Sequence, residues 1–364
     1  MNKTSFFYSC TTKFSMILIM FIVIAESFAQ QPQGQFKIEG DKDVYMLTYF
    51  RQRYPTRLEI DSAGNLVVVQ LPDPMLISKL HIALSLDGRN WTPLNDNNPV
   101  WEQNMRDPYV HRDPDGLWRI VATGGGRGGD RERVGPGCLY ATSKDLINFQ
   151  VEGSLPLMKD YRNEEGALAR NIWAPEWFYD EKNNEYMLFW SSSFKDAGWK
   201  ESRLWYSKTK DWETFTPAKP LFEPPYSVID GTMIEHDGTY YLFHKEEEFG
   251  AITGERRAIR LAISNKLEGP YTIIEGPLNQ GQLVPVITEG PSIVKDLLKP
   301  GWLLLYDYCM TDRFGASYSS DLINWSIEDD VCFPPEARHG SISILKPEEA
   351  KKLIEAYPGS HQGE

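Results

Sequence analysis

The sequence predicts an all-β fold, a five-bladed β-propeller of four-stranded antiparallel blades, and three observations carry that prediction. First, five short strands lie roughly 50 to 70 residues apart, each beginning with an acid or a histidine and then turning apolar, a repeat that fits modules added around a ring. They start Arg106-Asp107-Pro108-Tyr109-Val110, Ala174-Pro175-Glu176-Trp177-Phe178, Asp230-Gly231-Thr232-Met233-Ile234, Glu289-Gly290-Pro291-Ser292-Ile293 and Arg338-His339-Gly340-Ser341-Ile342. Second, each complete module continues with the same succession of turns and strands. Third, the two chain ends each supply part of a blade and complement one another.

Within a module the first strand ends in a turn such as Asp113-Pro114-Asp115-Gly116 or His236-Asp237-Gly238, whose residue types tolerate tight hairpin angles. A second strand rich in aromatic and β-branched residues follows: Leu117 to Thr123, Glu185 to Trp190, Thr239 to His244 and Trp302 to Tyr306. A third strand ends in Ser or Thr plus a charge, as in Leu139 to Ser143 or Leu204 to Ser207, and a short fourth carries Phe149, Phe215, Tyr271 or Trp325. Four antiparallel strands make a propeller blade. His339 to Leu345 is a first strand without partners after it, and Val44 to Phe50 a second strand without a first before it. Pairing them closes the ring and removes exposed sheet edges. Arg51 to Met75 exceeds a blade's needs and is expected to form an extra hairpin around Gly64-Asn65; Pro347 to Tyr357 has helical spacing with Pro near its start.

The domain reading is therefore a signal peptide over 1–29, a linker over 30–40, the propeller over 41–345, and a C-terminal helix and tail over 346–364. Lys3 and Lys13 precede the apolar run Met16 to Ala25, and the small residues Ser27 and Ala29 stand before the expected cut. The run is shorter than the about 20 residues of a membrane span, so no span is expected after cleavage and the mature chain is expected to be secreted or periplasmic. Cleavage removes two positive charges (Lys3, Lys13) and one negative (Glu26), taking the net charge from −13 to −14. Such a surface repels nucleic-acid phosphates and anionic membranes, and is indifferent to a neutral sugar. A carbohydrate is the expected partner, nucleic acid is not, and a monomer is expected. Cys138, Cys309 and Cys332 have no metal-ligand spacing; a Cys309–Cys332 disulfide and buried free thiols are the two readings. Eleven tryptophans suit either a large β core or sugar-stacking platforms.

Around a common axis, Asp107, Asp230 and Glu289 converge. Glycoside hydrolysis needs two carboxyl groups, one to protonate the leaving oxygen and one to activate water or attack the anomeric carbon. The proton donor needs burial or a neighbouring carboxylate to raise its pKa. The ordered set Arg106-Asp107-Pro108, Trp173-Ala174-Pro175-Glu176, Ile229-Asp230-Gly231-Thr232, Thr288-Glu289-Gly290-Pro291 and Arg338-His339-Gly340-Ser341 resembles the family 43 glycoside hydrolases, five-bladed propellers. The resemblance covers essentially the whole mature chain. It implies Asp107 as general base, Asp230 as the group that tunes the acid and orients substrate, and Glu289 as general acid. It also implies inversion, with carboxyls roughly 6.5–9.5 Å apart. Two departures, Asp230-Gly231 where many arabinan- and xylan-active members have Asp-Pro, and Glu289-Gly290-Pro291 where many have Glu-Ala-Pro, keep the carboxylates and bear on substrate rather than mechanism. They are similar to an exo-acting branch and to propellers that cleave anhydrogalactose from agar fragments.

Further candidates surround these three. Glu176 either lines the pocket and binds sugar hydroxyls or sits in a supporting position. Trp173 is the candidate stacking platform, with core packing as the alternative. Arg106 is expected to pair with Asp107 or another blade's acid, with a positioning role, and Arg313 either reaches a substrate hydroxyl or is a solvated loop residue, the latter being the favoured reading. His339 binds substrate, hydrogen-bonds in the core or touches an axial cation; the resemblance implies a calcium or sodium ion there, and no cofactor is otherwise required. The run Gly124-Gly125-Gly126-Arg127-Gly128-Gly129 lacks the Lys-Ser/Thr ending of a phosphate loop and reads as a flexible connection. The expected function is a secreted, inverting exo-glycosidase acting on terminal arabinofuranosyl, xylosyl or galactosyl residues of a plant or algal polysaccharide or its oligosaccharides. The competing readings are a non-catalytic carbohydrate-binding propeller, which predicts a missing carboxylate, and a glycoside phosphorylase, which needs a basic cluster for phosphate.

Overall fold

A computed structural model describes residues 36–38, 40–60, 66–124, 137–158, 160–194, 201–247, 257–274, 287–309 and 313–360. The signal-peptide reading and Gly125 to Gly129 lie outside the described residues. Five four-stranded antiparallel sheets form the blades. The first comprises Arg106–Arg112, Trp118–Gly124, Gly137–Ser143 and Phe149–Leu155; the second Trp173–Asp180, Glu185–Ser192, Arg203–Thr209 and Lys219–Phe222. The third comprises Val228–His236, Thr239–Glu246, Ala258–Ser264 and Thr272–Ile274; the fourth Thr288–Lys295, Trp302–Tyr308, Phe314–Ser319 and Ser326–Glu328. The fifth is built from both chain ends, with Ala337–Leu345 paired to Val44–Arg53, then Met75–Ser85 and Thr92–Pro93. The extra hairpin is present as Thr56–Ile60 paired with Leu66–Gln70, its turn lying outside the described residues, and the terminal helix spans Pro347–Ala356 with Pro at its start.

Five apolar clusters hold the ring, one at each seam between blades. Val121, Tyr140, Trp177 and Trp190 fill the seam of the first and second blades, Leu204, Leu221, Met233 and Leu242 that of the second and third. The fifth and first blades meet over Met46, Ile82, Val110 and Trp118, and Leu353 of the helix closes that seam from outside. Each large side chain buried this way contributes about 1.5–3 kcal/mol relative to exposure. Trp177 belongs to this core, where it meets Tyr109, Tyr186 and Trp212 edge-on.

The repeat has a second signature between strands three and four. Ser85, Ser143, Thr209 and Ser319 end third strands; the hydroxyls of the first three accept backbone N–H groups two and three residues on, and that of Ser319 accepts the one two residues on. Asp87, Asp145, Asp211 and Asp321 then accept the N–H groups of the residues two and three further along. These side chains satisfy the turn's backbone and compete out any continued strand. The turn absorbs residues that sequence pattern places in the fourth strand: Phe215 packs in the seam but precedes the strand Lys219–Phe222, and Tyr271 and Trp325 likewise precede theirs. The amides of Asn90 and Asn324 donate to Asp87 and Asp321 within the same turns. Cys138, Cys309 and Cys332 are free thiols.

Each first strand carries a bulge. Its register shifts between Arg106 and Tyr109, Trp173 and Glu176, Ile229 and Thr232, and Glu289 and Ser292, and the closing strand shifts opposite Thr48 and Phe50. The bulged residues are Asp107, Ala174, Asp230, Gly290 and His339, all with positive φ, of 50°, 44°, 53°, 59° and 23°. Four are not glycine, and left-handed backbone costs such residues roughly 1–2 kcal/mol each. The closing seam shows what offsets it: Ser341 Oγ lies 2.9 Å from Thr48 Oγ1 and accepts the Val110 N–H at 2.9 Å, joining three strands of two blades. Ser341→Ala leaves that buried N–H without a partner, so urea unfolding is expected to report a loss of about 1–3 kcal/mol.

Candidate active site

The bulges re-aim side chains toward the ring axis, a recurrent use of an extra residue in a strand. Asp107 and Asp230 sit on bulges, Glu289 one residue before one, and His339 on the bulge of the closing strand. They line one cavity of about 820 Å³ together with Asp307, Arg338, Arg106, Trp173 and Tyr54. Gly290 is required where it stands. Its φ is positive, and a β-carbon there would lie 2.8 Å from His339 Cγ, so the alanine common at this point of the motif has no room.

A second set of side chains fixes the first. In the second strands, Thr123, Ser191, Lys245 and Asp307 pair across from the residue just before each bulge. Each reaches into the next blade. Thr123 donates its hydroxyl to Asp107 and accepts the Ala174 N–H at 2.9 Å; Ser191 accepts the Asp230 N–H at 3.0 Å. Asp307 accepts the His339 N–H at 2.8 Å, and Lys245 Nζ stands 2.7 Å from Glu289 Oε2. Asp230 Oδ2 in turn accepts the Gly290 N–H at 3.2 Å, tying the second acid to the peptide beside Glu289.

The electrostatics divide the carboxyls. Burial pushes Asp230 up to about 6 against the opposing charges of His339 and Lys245. Glu289 goes the other way: although burial disfavours its charge, Lys245 and Arg338, both ion-paired to it, hold it well below the usual carboxylate range. Burial pushes Asp307 up to about 7 despite Arg338, whose guanidinium lies 3.1 Å from its Oδ1. Burial opposes a charged His339, but Asp230 and Asp107, each 3.7 Å from Nδ1, hold the imidazole above its ordinary value. Nδ1 thus faces two carboxylates as a partner cation would. Among the described residues no group of three or more His, Cys, Asp or Glu side chains is arranged to hold a metal ion.

The remaining sequence candidates are placed unevenly. Trp173 lines the cavity, and the bulge between it and Trp177 sends the two indoles to opposite sides. Arg106 lines the cavity with its guanidinium 4.8 Å over the Phe50 ring; it makes no ion pair among the described residues, where pairing with Asp107 or another acid is expected from sequence. Glu176 is absent from the lining. It sits two residues past its bulge, 5% exposed and bonded to Thr232, and burial pushes its carboxyl well above the usual range. Arg313 is exposed just before Phe314–Ser319 and outside the lining, and its carbonyl accepts the Tyr308 N–H at 3.0 Å. Sequence reasoning misses Lys245 and Asp307. Their signal is an ion inside an otherwise apolar strand, as in Leu242-Phe243-His244-Lys245 and Leu305-Tyr306-Asp307.

Comparison with known proteins bears on the fold and the family. A curated α-L-arabinofuranosidase of Bifidobacterium longum is 32% identical over 122 residues, a match spanning 29% of this chain and 11% of that enzyme. Among solved structures, a variant of an α-L-arabinofuranosidase from Fusarium graminearum in complex with an iminosugar inhibitor aligns with a TM-score of 0.50 at 15% identity, covering 85% of this chain and 95% of that one. A thermostable family-43 glycoside hydrolase aligns with a TM-score of 0.49 at 17% identity, over 68% of this chain and 81% of the other. The Fusarium likeness concerns the fold. A family model described as a probable glycosyl hydrolase domain matches residues 76–351, three quarters of the sequence and nearly the whole ring, and the chain belongs to this family-43-related group of glycosyl hydrolases.

Proposed function

We propose that this protein is an inverting, exo-acting glycoside hydrolase that removes terminal arabinofuranosyl, xylosyl or galactosyl residues from a plant or algal polysaccharide or its oligosaccharides after export from the cytoplasm. The observation that carries the reading is the convergence of Asp107, Asp230 and Glu289 on one cavity beside His339. Asp107, held by Thr123, takes a proton from the attacking water. Glu289 protonates the departing oxygen. Asp230 orients the sugar and anchors the peptide that carries Glu289. Trp173 supplies an apolar ring at the cavity wall, where a sugar face stacks. A phosphorylase reading is disfavoured because Lys245 and Arg338 are already committed to carboxylates.

The test is hydrolysis of aryl α-L-arabinofuranosides, β-D-xylosides and β-D-galactosides, with and without inorganic phosphate. Turnover of at least one, unaffected by phosphate, is expected; phosphate-dependent release of a sugar phosphate, or sugar binding without turnover, counts against the reading. Trp173→Ala is expected to raise KM about tenfold with kcat little changed, on a stacking contribution of about 1–2 kcal/mol. An unchanged KM would remove the stacking role alone.

A further inference from the structure

Resting on that reading, one feature of the site asks for more: a proton donor clamped between two cations. Lys245 is 1% exposed, and its ammonium stands 2.7 Å from Glu289 Oε2 and 2.6 Å from Glu247 Oε2. Glu247 lines the same cavity and lies just past the end of the strand that carries Lys245. The lysine therefore has two carboxylate partners, only one of which is assigned chemistry. We propose that Lys245 is the positioning residue that sets the protonation of the acid Glu289, and that Glu247 governs it by competing for the same ammonium. When Lys245 is held by Glu247, Glu289 takes up a proton from solvent and is ready to donate; when held by Glu289, the acid stays ionised.

The other charges around the pair do not remove this competition. Arg338 and His339 of the closing strand both favour ionised Glu289, while Asp230 and Asp307 oppose it. Tyr54 packs its ring against the Arg338 guanidinium with its hydroxyl 3.4 Å from Nη2, and Cys309 is a thiol that burial pushes up to about 12. Two cations link Glu289 to acids that the reaction does not use: Arg338 to Asp307, which also holds the His339 N–H, and Lys245 to Glu247, which lines the cavity with no other assigned task. Direction follows from charge: removing the ammonium raises the pKa of Glu289, whereas removing its competitor leaves the ammonium wholly to Glu289 and lowers it.

The test measures kcat/KM against pH for wild type, Lys245→Gln, Glu247→Gln and the double variant. The substrate is the unactivated phenyl glycoside of whichever of the three sugars the wild type accepts. Lys245→Gln is expected to move the alkaline limb up by roughly 1–3 pH units and Glu247→Gln to move it down. The double variant should coincide with Lys245→Gln, since Glu247 acts through the lysine; additive shifts would mean that Glu247 acts directly and would overturn the competition. A stationary limb in a folded Lys245→Gln protein overturns the proposal as a whole. Should that variant fail to fold, Glu247→Gln decides alone, a downward shift supporting the proposal and a stationary or upward one overturning it. Full activity of Glu289→Gln on the same glycoside would instead sink the assignment of the acid, which keeps the two failures apart.

Discussion

Glu289→Gln is expected to lower kcat/KM on unactivated glycosides by about 10²–10⁴-fold while leaving nitrophenyl glycosides much less affected. A nitrophenolate departs without help, whereas an alkoxide needs its proton delivered as the bond breaks. The amide retains the shape of the side chain and its acceptor oxygen, so substrate still binds. It cannot donate a titrating proton, and the alkaline limb of the pH profile should vanish with it. The substitution also leaves Lys245 and Arg338 with one anion fewer in a buried site. A stability loss of about 1–3 kcal/mol is expected alongside and is checked by urea unfolding. Equal losses on activated and unactivated substrates would point to a structural role rather than proton donation.

Asp107→Asn is expected to cost about 10²–10⁴-fold on every substrate, whatever its leaving group, because water activation does not depend on the aglycone. Asparagine is a demanding control at this position. The backbone of residue 107 has a φ of 50°, a conformation that asparagine tolerates better than most residues, and its side-chain oxygen still accepts the Thr123 hydroxyl. Fold and binding should therefore survive while the base is lost, so kcat falls with KM nearly unchanged. A variant that keeps half or more of wild-type turnover on both substrate types would exclude Asp107 as the base.

The two substitutions also explain why part of this site is legible in sequence and part is not. Blade order, the closing strand at His339 to Leu345, the hairpin after Arg51 and the terminal helix follow from alternation, turn chemistry and composition, all local signals. The three carboxylates stand out because an ion at a strand start recurs. Their phase does not stand out: Asp107 and Asp230 occupy the bulge, Glu289 precedes it and Glu176 follows it by two residues, buried and outside the cavity lining. A bulge depends on the partner strand and leaves no fixed period in the chain that carries it. Lys245 and Asp307 are hidden for a related reason. Each acts on the blade that follows, 44 and 32 residues away, and only ring closure brings them to Glu289 and His339. Arg313 is exposed outside the cavity lining, in line with its reading as a solvated loop residue.

The central claim is that Asp107 activates a water molecule which attacks the face of the sugar opposite the proton donated from Glu289. NMR of the first sugar released, recorded before the anomers equilibrate, tests this directly. A first product with inverted anomeric configuration is the expected result. A first product of retained configuration would require a carboxylate bonded to the sugar in place of water, and would contradict the account.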